Sequence, residues 1–199
     1  MKTAAIFTII TFALICGCAK PYSEHDLRYE DEREKEEYAI YSHSIEYVYL
    51  RNLLSHNKRE VKSIVVISQT DELNEYWRDK FVDHLENESI QEEVIEAWRM
   101  ENESTSLLQR KFDFEYKYHM VTRAELDEYQ SESFFSEFYK RYPDSNGLIS
   151  VSRIGYDKTR NTALIHVIHS YGTLGANYYF IVLQKSTGGW DIVRRISTE

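Results

Sequence analysis

The residues in this chain whose types could carry chemistry are few, and their spacing restricts them further. His166 and His169 stand three apart in the run TALIHVIHS. On a strand such positions point to opposite faces, so the two imidazoles are not expected to share a metal. The seven histidines contain no His-Glu-x-x-His spacing, and structural or surface roles are expected for them. Ser152 and Ser170 lie near histidines along the chain, but no Gly-x-Ser-x-Gly elbow presents a serine for attack. Gly172 and Gly175 form neither a phosphate loop nor a dinucleotide fingerprint, lacking both the pattern and a following helix. Carboxylates crowd Glu86 to Glu103, on what reads as the solvated face of helices. Arg153 is different, because it stands in the apolar run LISVSRIGY, where a guanidinium must snorkel, pair or bind something. With Tyr156 and Tyr171 it makes up the candidate contact set for a ligand or partner. A salt bridge to an acidic helix is the expected role of Arg153, and anion binding in a concave sheet is the alternative. No catalytic residue, metal ligand or cofactor is assigned.

The two cysteines both lie at the N-terminus, in MKTAAIFTIITFALICGC. Lys2 gives a basic start, and Ala4 to Ile15 is an apolar run too short to span a bilayer comfortably but suited to a leader core. It closes on Ile15-Cys16-Gly17-Cys18, which resembles the lipobox of bacterial lipoproteins: an aliphatic residue, two small ones, then a cysteine. Cys16 does not fit as the lipidated residue, since Ile15 would precede it where a small residue is needed. The resemblance implies cleavage after Gly17, acylation of Cys18 and anchoring in the cell envelope, with more than one acyl chain making the anchor stable. Ala19 stands where an Asp would signal inner-membrane retention, which favours an outer membrane, facing the periplasm, in a Gram-negative cell. Only Cys18 would survive processing, so the folded part would hold no free thiol, disulfide or thiolate metal site.

The elements that must position these residues follow from pattern. The chain has 199 residues, 42% hydrophobic and 29% charged, enough for one domain with a core. Residues 1–17 read as leader, 18–34 as tether and 35–199 as a single domain. The net charge of −9 disfavours general nucleic-acid binding. It is uneven: Asp71 to Glu103 carries twelve acidic and three basic side chains, and Leu148 to Glu199 carries six basic and three acidic. Both stretches are expected to be solvated faces.

Tyr38, Tyr41, Ile45 and Val48 fall at helical spacing, and VKSIVVIS reads as a buried strand. Asp71 is expected to cap a helix carrying Leu73, Trp77, Phe81 and Leu85. Ser89 and Glu92 are expected to form a capping box for a helix carrying Val94 and Trp98, as are Thr122 and Glu125 for a third helix. Lys111 to Met120 alternates aromatic and charged residues, the mark of a half-buried strand. Four runs from Leu148 to Ile196 are separated by turn residues, the last break being Ser186 to Gly189. They predict an antiparallel four-strand meander packed against the upstream helices, which would cover one of its faces. The fold class expected is α+β with an antiparallel sheet of five or six strands. A curved sheet cupping helices, in the manner of nuclear-transport-factor-like or cystatin-like domains, is the arrangement considered by analogy.

The C-terminal quarter also resembles something. Ser152-Arg153-Ile154-Gly155-Tyr156, an aliphatic strand, the Gly172 and Gly175 loop, Tyr178-Tyr179 and Gly189-Trp190 are similar to the ends of uncharacterised bacterial exported proteins. That resemblance implies no activity. The functional expectation is a membrane-anchored extracytoplasmic lipoprotein that binds an envelope partner or ligand without catalysis. Two readings stand beside it: an envelope hydrolase with a site assembled from sequence-distant residues, and an inhibitor or immunity lipoprotein with an acidic contact surface. The hydrolase requires a deep pocket with convergent titratable groups.

Overall fold

The computed structural model describes residues 24–56, 62–71, 73–129, 133–173 and 175–198; Cys18 and the leader lie outside the described residues. In chain order the elements are α1 (Glu24–His56), β1 (Ser63–Ile67), α2 (Glu75–Asn87), α3 (Glu92–Glu101), β2 (Lys117–Val121), α4 (Arg123–Asp127) and α5 (Phe134–Arg141). Then come β3 (Ser145–Val151), β4 (Gly155–Tyr156), β5 (Thr162–Gly172), β6 (Gly175–Ser186) and β7 (Gly189–Ser197). α1 thus begins inside the stretch read as a tether.

The strands form one mixed sheet in the order β2-β1-β3-β5-β6-β7, with β4 pairing only β5. β1 runs parallel to both β2 and β3, and every other pairing is antiparallel. The domain is therefore α+β, with a mostly antiparallel seven-stranded sheet whose C-terminal strands form the expected meander. Its final hairpin turns at Thr187 and Gly188, and Gly189 takes φ +130°, a conformation that favours glycine.

Helices cover both faces of this sheet, where one covered face or a cupped sheet was expected. Ile64, Val66, Ile149, Ile165, Val167 and Ile181 face α1 through Tyr38, Tyr41, Ile45 and Tyr49. On the opposite face Val65, Ile67 and Leu148 meet Leu126 of α4 and Phe138 and Tyr142 of α5. Beside them Leu164, Phe180, Val182 and Ile196 meet Leu85 of α2 and Val94, Ile95 and Trp98 of α3. The cause lies in the central strands. β1 (SIVVI) and β3 are buried at every position, and a strand apolar on both sides needs a cover on both sides.

Three local expectations change. The Lys111–Met120 stretch keeps its alternation, with Phe112 buried and the odd-numbered residues exposed. Ladder pairing starts only at Lys117, however. Before that, α1 takes the backbone donors: Tyr38 Oη accepts from Gln109 N, Ser42 Oγ from Asp113 N (2.9 Å) and Glu46 Oε1 from Glu115 N (2.8 Å). These three helix residues are spaced four apart and share one face. Asp71 is not a cap; Asn74 is, its Oδ1 accepting from Trp77 N at 3.0 Å. Asp71 is instead buried, accepting from Arg123 Nη2 at 2.8 Å and from Ser150 Oγ at 2.7 Å. Ser89 sits at φ +57° and forms no capping box, since α3 starts after an uncapped Gln91. The Thr122–Glu125 box forms in both directions.

Candidate functional site

The run expected as one strand, LISVSRIGY, is broken by three residues, and that break builds the site. β3 pairs with the far half of β5 through Val151, opposite Val167. Gly155 and Tyr156 then rejoin β5 opposite Leu164 and Ala163. Between them the chain is captured by α3. Ser152 Oγ accepts from Trp98 Nε1 and from His166 N, both at 2.9 Å, and donates to Arg153 O at 2.8 Å. Asn102 Oδ1 accepts from Arg153 N at 2.7 Å, and its Nδ2 donates to Trp98 O and Arg153 O. The Arg153 guanidinium then lies 2.5 Å from Glu101, the last residue of α3, with Ser104 Oγ at 3.4 Å.

A cavity of about 410 Å³ opens here, between the N-terminal half of α1 and the C-terminal end of α3. α1 contributes Arg33, Glu37 and Tyr41, and α3 contributes Ala97, Met100 and Glu101. The rest of the wall includes Arg153, Ile154, Tyr156, Asp157 and Arg160. Its ionic groups are matched. Arg33 Nε is 3.4 Å from Glu37, Arg153 is paired with Glu101, and Arg160 lies 3.7 Å from Glu36 on α1. Asp157 Oδ1 accepts from Asn161 N and Thr162 N and Oδ2 from Thr159 Oγ1. Burial alone would raise its carboxyl, but Thr162, Thr159 and Asn161 together lower it. Burial, reinforced by Glu37, pushes the Tyr41 and Tyr156 hydroxyls well above their ordinary range, so both stay protonated. The Arg160 guanidinium stacks 3.8 Å over the Tyr156 ring.

Arg153 and Tyr156 therefore share one cavity wall. Tyr171 does not belong to it. It lies eight residues along β5 from Ala163, about 26 Å at 3.3 Å per residue, against His169 and beneath α5, where Tyr139 Oη donates to its carbonyl at 2.9 Å. His166 and His169 face opposite sides of the sheet. His166 is enclosed by Phe81 and Phe180 beside α2, and His169 packs on Tyr49 of α1 with Nε2 2.6 Å from Asn146 O. Ser152 meets His166 only through the main chain. Trp98, Asn102, Tyr41 and Arg160 carry no motif in the sequence, and only their contacts across the fold reveal them.

The uneven charge also has an internal use. Five of the six basic residues after Leu148 pair with carboxylates in or at the end of helices: Arg153 with Glu101, Lys158 with Glu93, Arg160 and Lys185 with Glu36, and Arg194 with Glu88 just past α2. Most acidic side chains of Asp71 to Glu103 are exposed, as expected of a solvated face, and Glu88, Glu93 and Glu101 from that stretch also pair with the basic strands at the surface.

Fold and site together define an α+β domain with two helical layers and a charge-matched cavity at the broken strand. No family model, no curated protein and no solved structure matches the chain. Among the described residues, no helix is long and apolar enough to cross a membrane.

Proposed function

We propose that this chain is a bacterial envelope lipoprotein, anchored through acylated Cys18, whose folded domain binds a ligand or an envelope partner without catalysing a reaction. The observation that carries the anchor is Ile15-Cys16-Gly17-Cys18 closing a short apolar leader, only six residues before α1 begins. That span reaches at most about 22 Å, so the domain would work close to the lipid surface, at the outer membrane in a Gram-negative cell.

The binding reading rests on the cavity. A hydrolase requires an unspent acid and base that converge; here each carboxylate is held by a guanidinium or by its own loop, and both tyrosines are protonated donors. Such a wall suits recognition by hydrogen bonds. Fatty-acid labelling tests the anchor: label should enter the wild-type chain and the Cys16→Ser variant and be lost from Cys18→Ser. Label persisting in Cys18→Ser would remove the lipoprotein reading. Capture from envelope membranes with the intact chain tests for a protein partner, with Arg153→Met as the variant that should weaken capture if the cavity wall is the contact.

A further inference from the structure

Among the described residues, seven buried side-chain polar atoms have no hydrogen-bond partner, and two of them, Tyr156 Oη and Arg160 Nη2, belong to residues that line this cavity, Nη2 having the 3.7 Å ion pair to Glu36 Oε2. Buried polar atoms are paired in the great majority of cases, so Tyr156 Oη asks for a partner from outside the chain. The charges restrict what that partner is. Three guanidinium groups and three carboxylates line the cavity, and all are already matched. An anion or a cation entering the cavity would find no unmatched opposite charge to compensate it. A neutral ligand needs none, and each guanidinium has five N–H donors and each carboxylate several lone pairs, most of them unspent.

Hydroxyl groups fit that wall best, since each both donates and accepts. The α3 side adds an apolar strip, Ala97 and Met100, continued by Ile154, against which the C–H face of a ring can lie. The volume of about 410 Å³ is within the range of small-molecule pockets. We propose that this cavity binds a neutral polyhydroxylated ligand of one or two sugar rings, held by Arg153, Glu101 and Arg160 through ring hydroxyls and by Tyr156 Oη. This rests on the binding reading above. The Arg160 guanidinium lies over the Tyr156 ring and, among the described residues, has Glu36 at 3.7 Å as its ionic partner. When it turns to a ligand hydroxyl, Nη2 gains an acceptor and Tyr156 is uncovered.

The test is calorimetric titration of the full-length chain, held in a detergent without a sugar headgroup. The probes are N,N′-diacetylchitobiose, cellobiose, the zwitterionic dipeptide alanyl-glutamine, and inorganic phosphate. Saturable binding of at least one disaccharide, with none of the dipeptide or phosphate, is the expected result. Affinity should fall at least tenfold in Arg153→Met and in Tyr156→Phe. The second variant removes an atom that bonds nothing in the described chain, so its melting temperature should stay near wild type while binding is lost. Saturation by phosphate or dipeptide, binding of neither sugar, or sugar binding that survives both substitutions would overturn the inference. A chain that captures an envelope protein yet takes neither sugar would overturn this inference alone. Turnover of a sugar would instead overturn the non-catalytic reading beneath it.

Discussion

A Cβ placed on Gly155 would stand 2.3 Å from the backbone nitrogen of Trp98 and 2.4 Å from its Cα. α3 therefore rests directly on the backbone of β4, with no side chain between them. Neither atom of Trp98 can yield without moving the helix. Gly155→Ala should cost about 3 kcal/mol, the upper part of the range for overpacked sites, read as a lower urea midpoint. It should also disturb the cavity that α3 and β4 share. An unchanged midpoint would show that α3 is not seated where described.

His166 should make the domain sensitive to mild acid. It is fully buried between aromatic rings, neither ring nitrogen has a hydrogen-bond partner among the described residues, and burial pulls its pKa down to about 3. In the unfolded chain it titrates near 6.5. Below that pH the unfolded state takes up a proton that the folded state refuses, so stability falls as pH drops from about 6.5 towards 3. The slope is up to about 1.4 kcal/mol per pH unit. By pH 5 the loss should be about 2 kcal/mol. Denaturation of His166→Phe at pH 7 and pH 5 should show a smaller difference than wild type. Parallel pH profiles for the two chains would rule the effect out.

Asp71 depends on Arg123. Burial pushes the Asp71 carboxyl above its ordinary value, while the Ser150 hydroxyl and the Arg123 guanidinium pull it back. Removing the guanidinium in Arg123→Met should raise it further. A carboxyl whose folded pKa is raised loses stability as pH rises, so this variant should be more destabilised at pH 7 than at pH 4. The cost at neutral pH should be about 1–3 kcal/mol, the penalty of an under-satisfied buried group. Asp71→Asn in the same background should recover part of it. Equal destabilisation at both pH values would mean that the carboxylate is not the cause.

Ser42 ties α1 to the segment before β2. Its hydroxyl donates to Tyr38 O at 2.7 Å and accepts from Asp113 N at 2.9 Å. Ser42→Ala should cost about 1–2 kcal/mol. Phe112→Ala, which empties a buried ring site in the same contact, should cost about 3–5 kcal/mol. Phe114 is half-buried and stacked on Phe112 at 5.0 Å, so Phe114→Ala should fall between the two. Hydrogen exchange at Asp113 reports the bond directly and should accelerate in Ser42→Ala; unchanged exchange would remove the tie.

What the sequence determined by itself is whatever one short stretch contains. Alternation from Phe112 to Met120 marked which residues turn inward, because side-chain direction follows the local backbone whether or not a ladder forms. The Thr122–Glu125 box could be read directly, since both its hydrogen bonds close within four residues. The strand period placed His166 and His169 on opposite faces, and the two glycines after Thr187 marked the last hairpin. Tertiary structure alone decided the rest, because it depended on which distant group reached a donor or acceptor first. Asp71 had a helix start to cap but found Arg123 and Ser150. The backbone N–H groups of Asp113 and Glu115 found α1 and so joined no strand. The strand through Arg153 broke because Asn102, some fifty residues earlier, holds its backbone and Trp98 holds the Ser152 hydroxyl. The cavity exists because of that break, and no pattern within either segment encodes it.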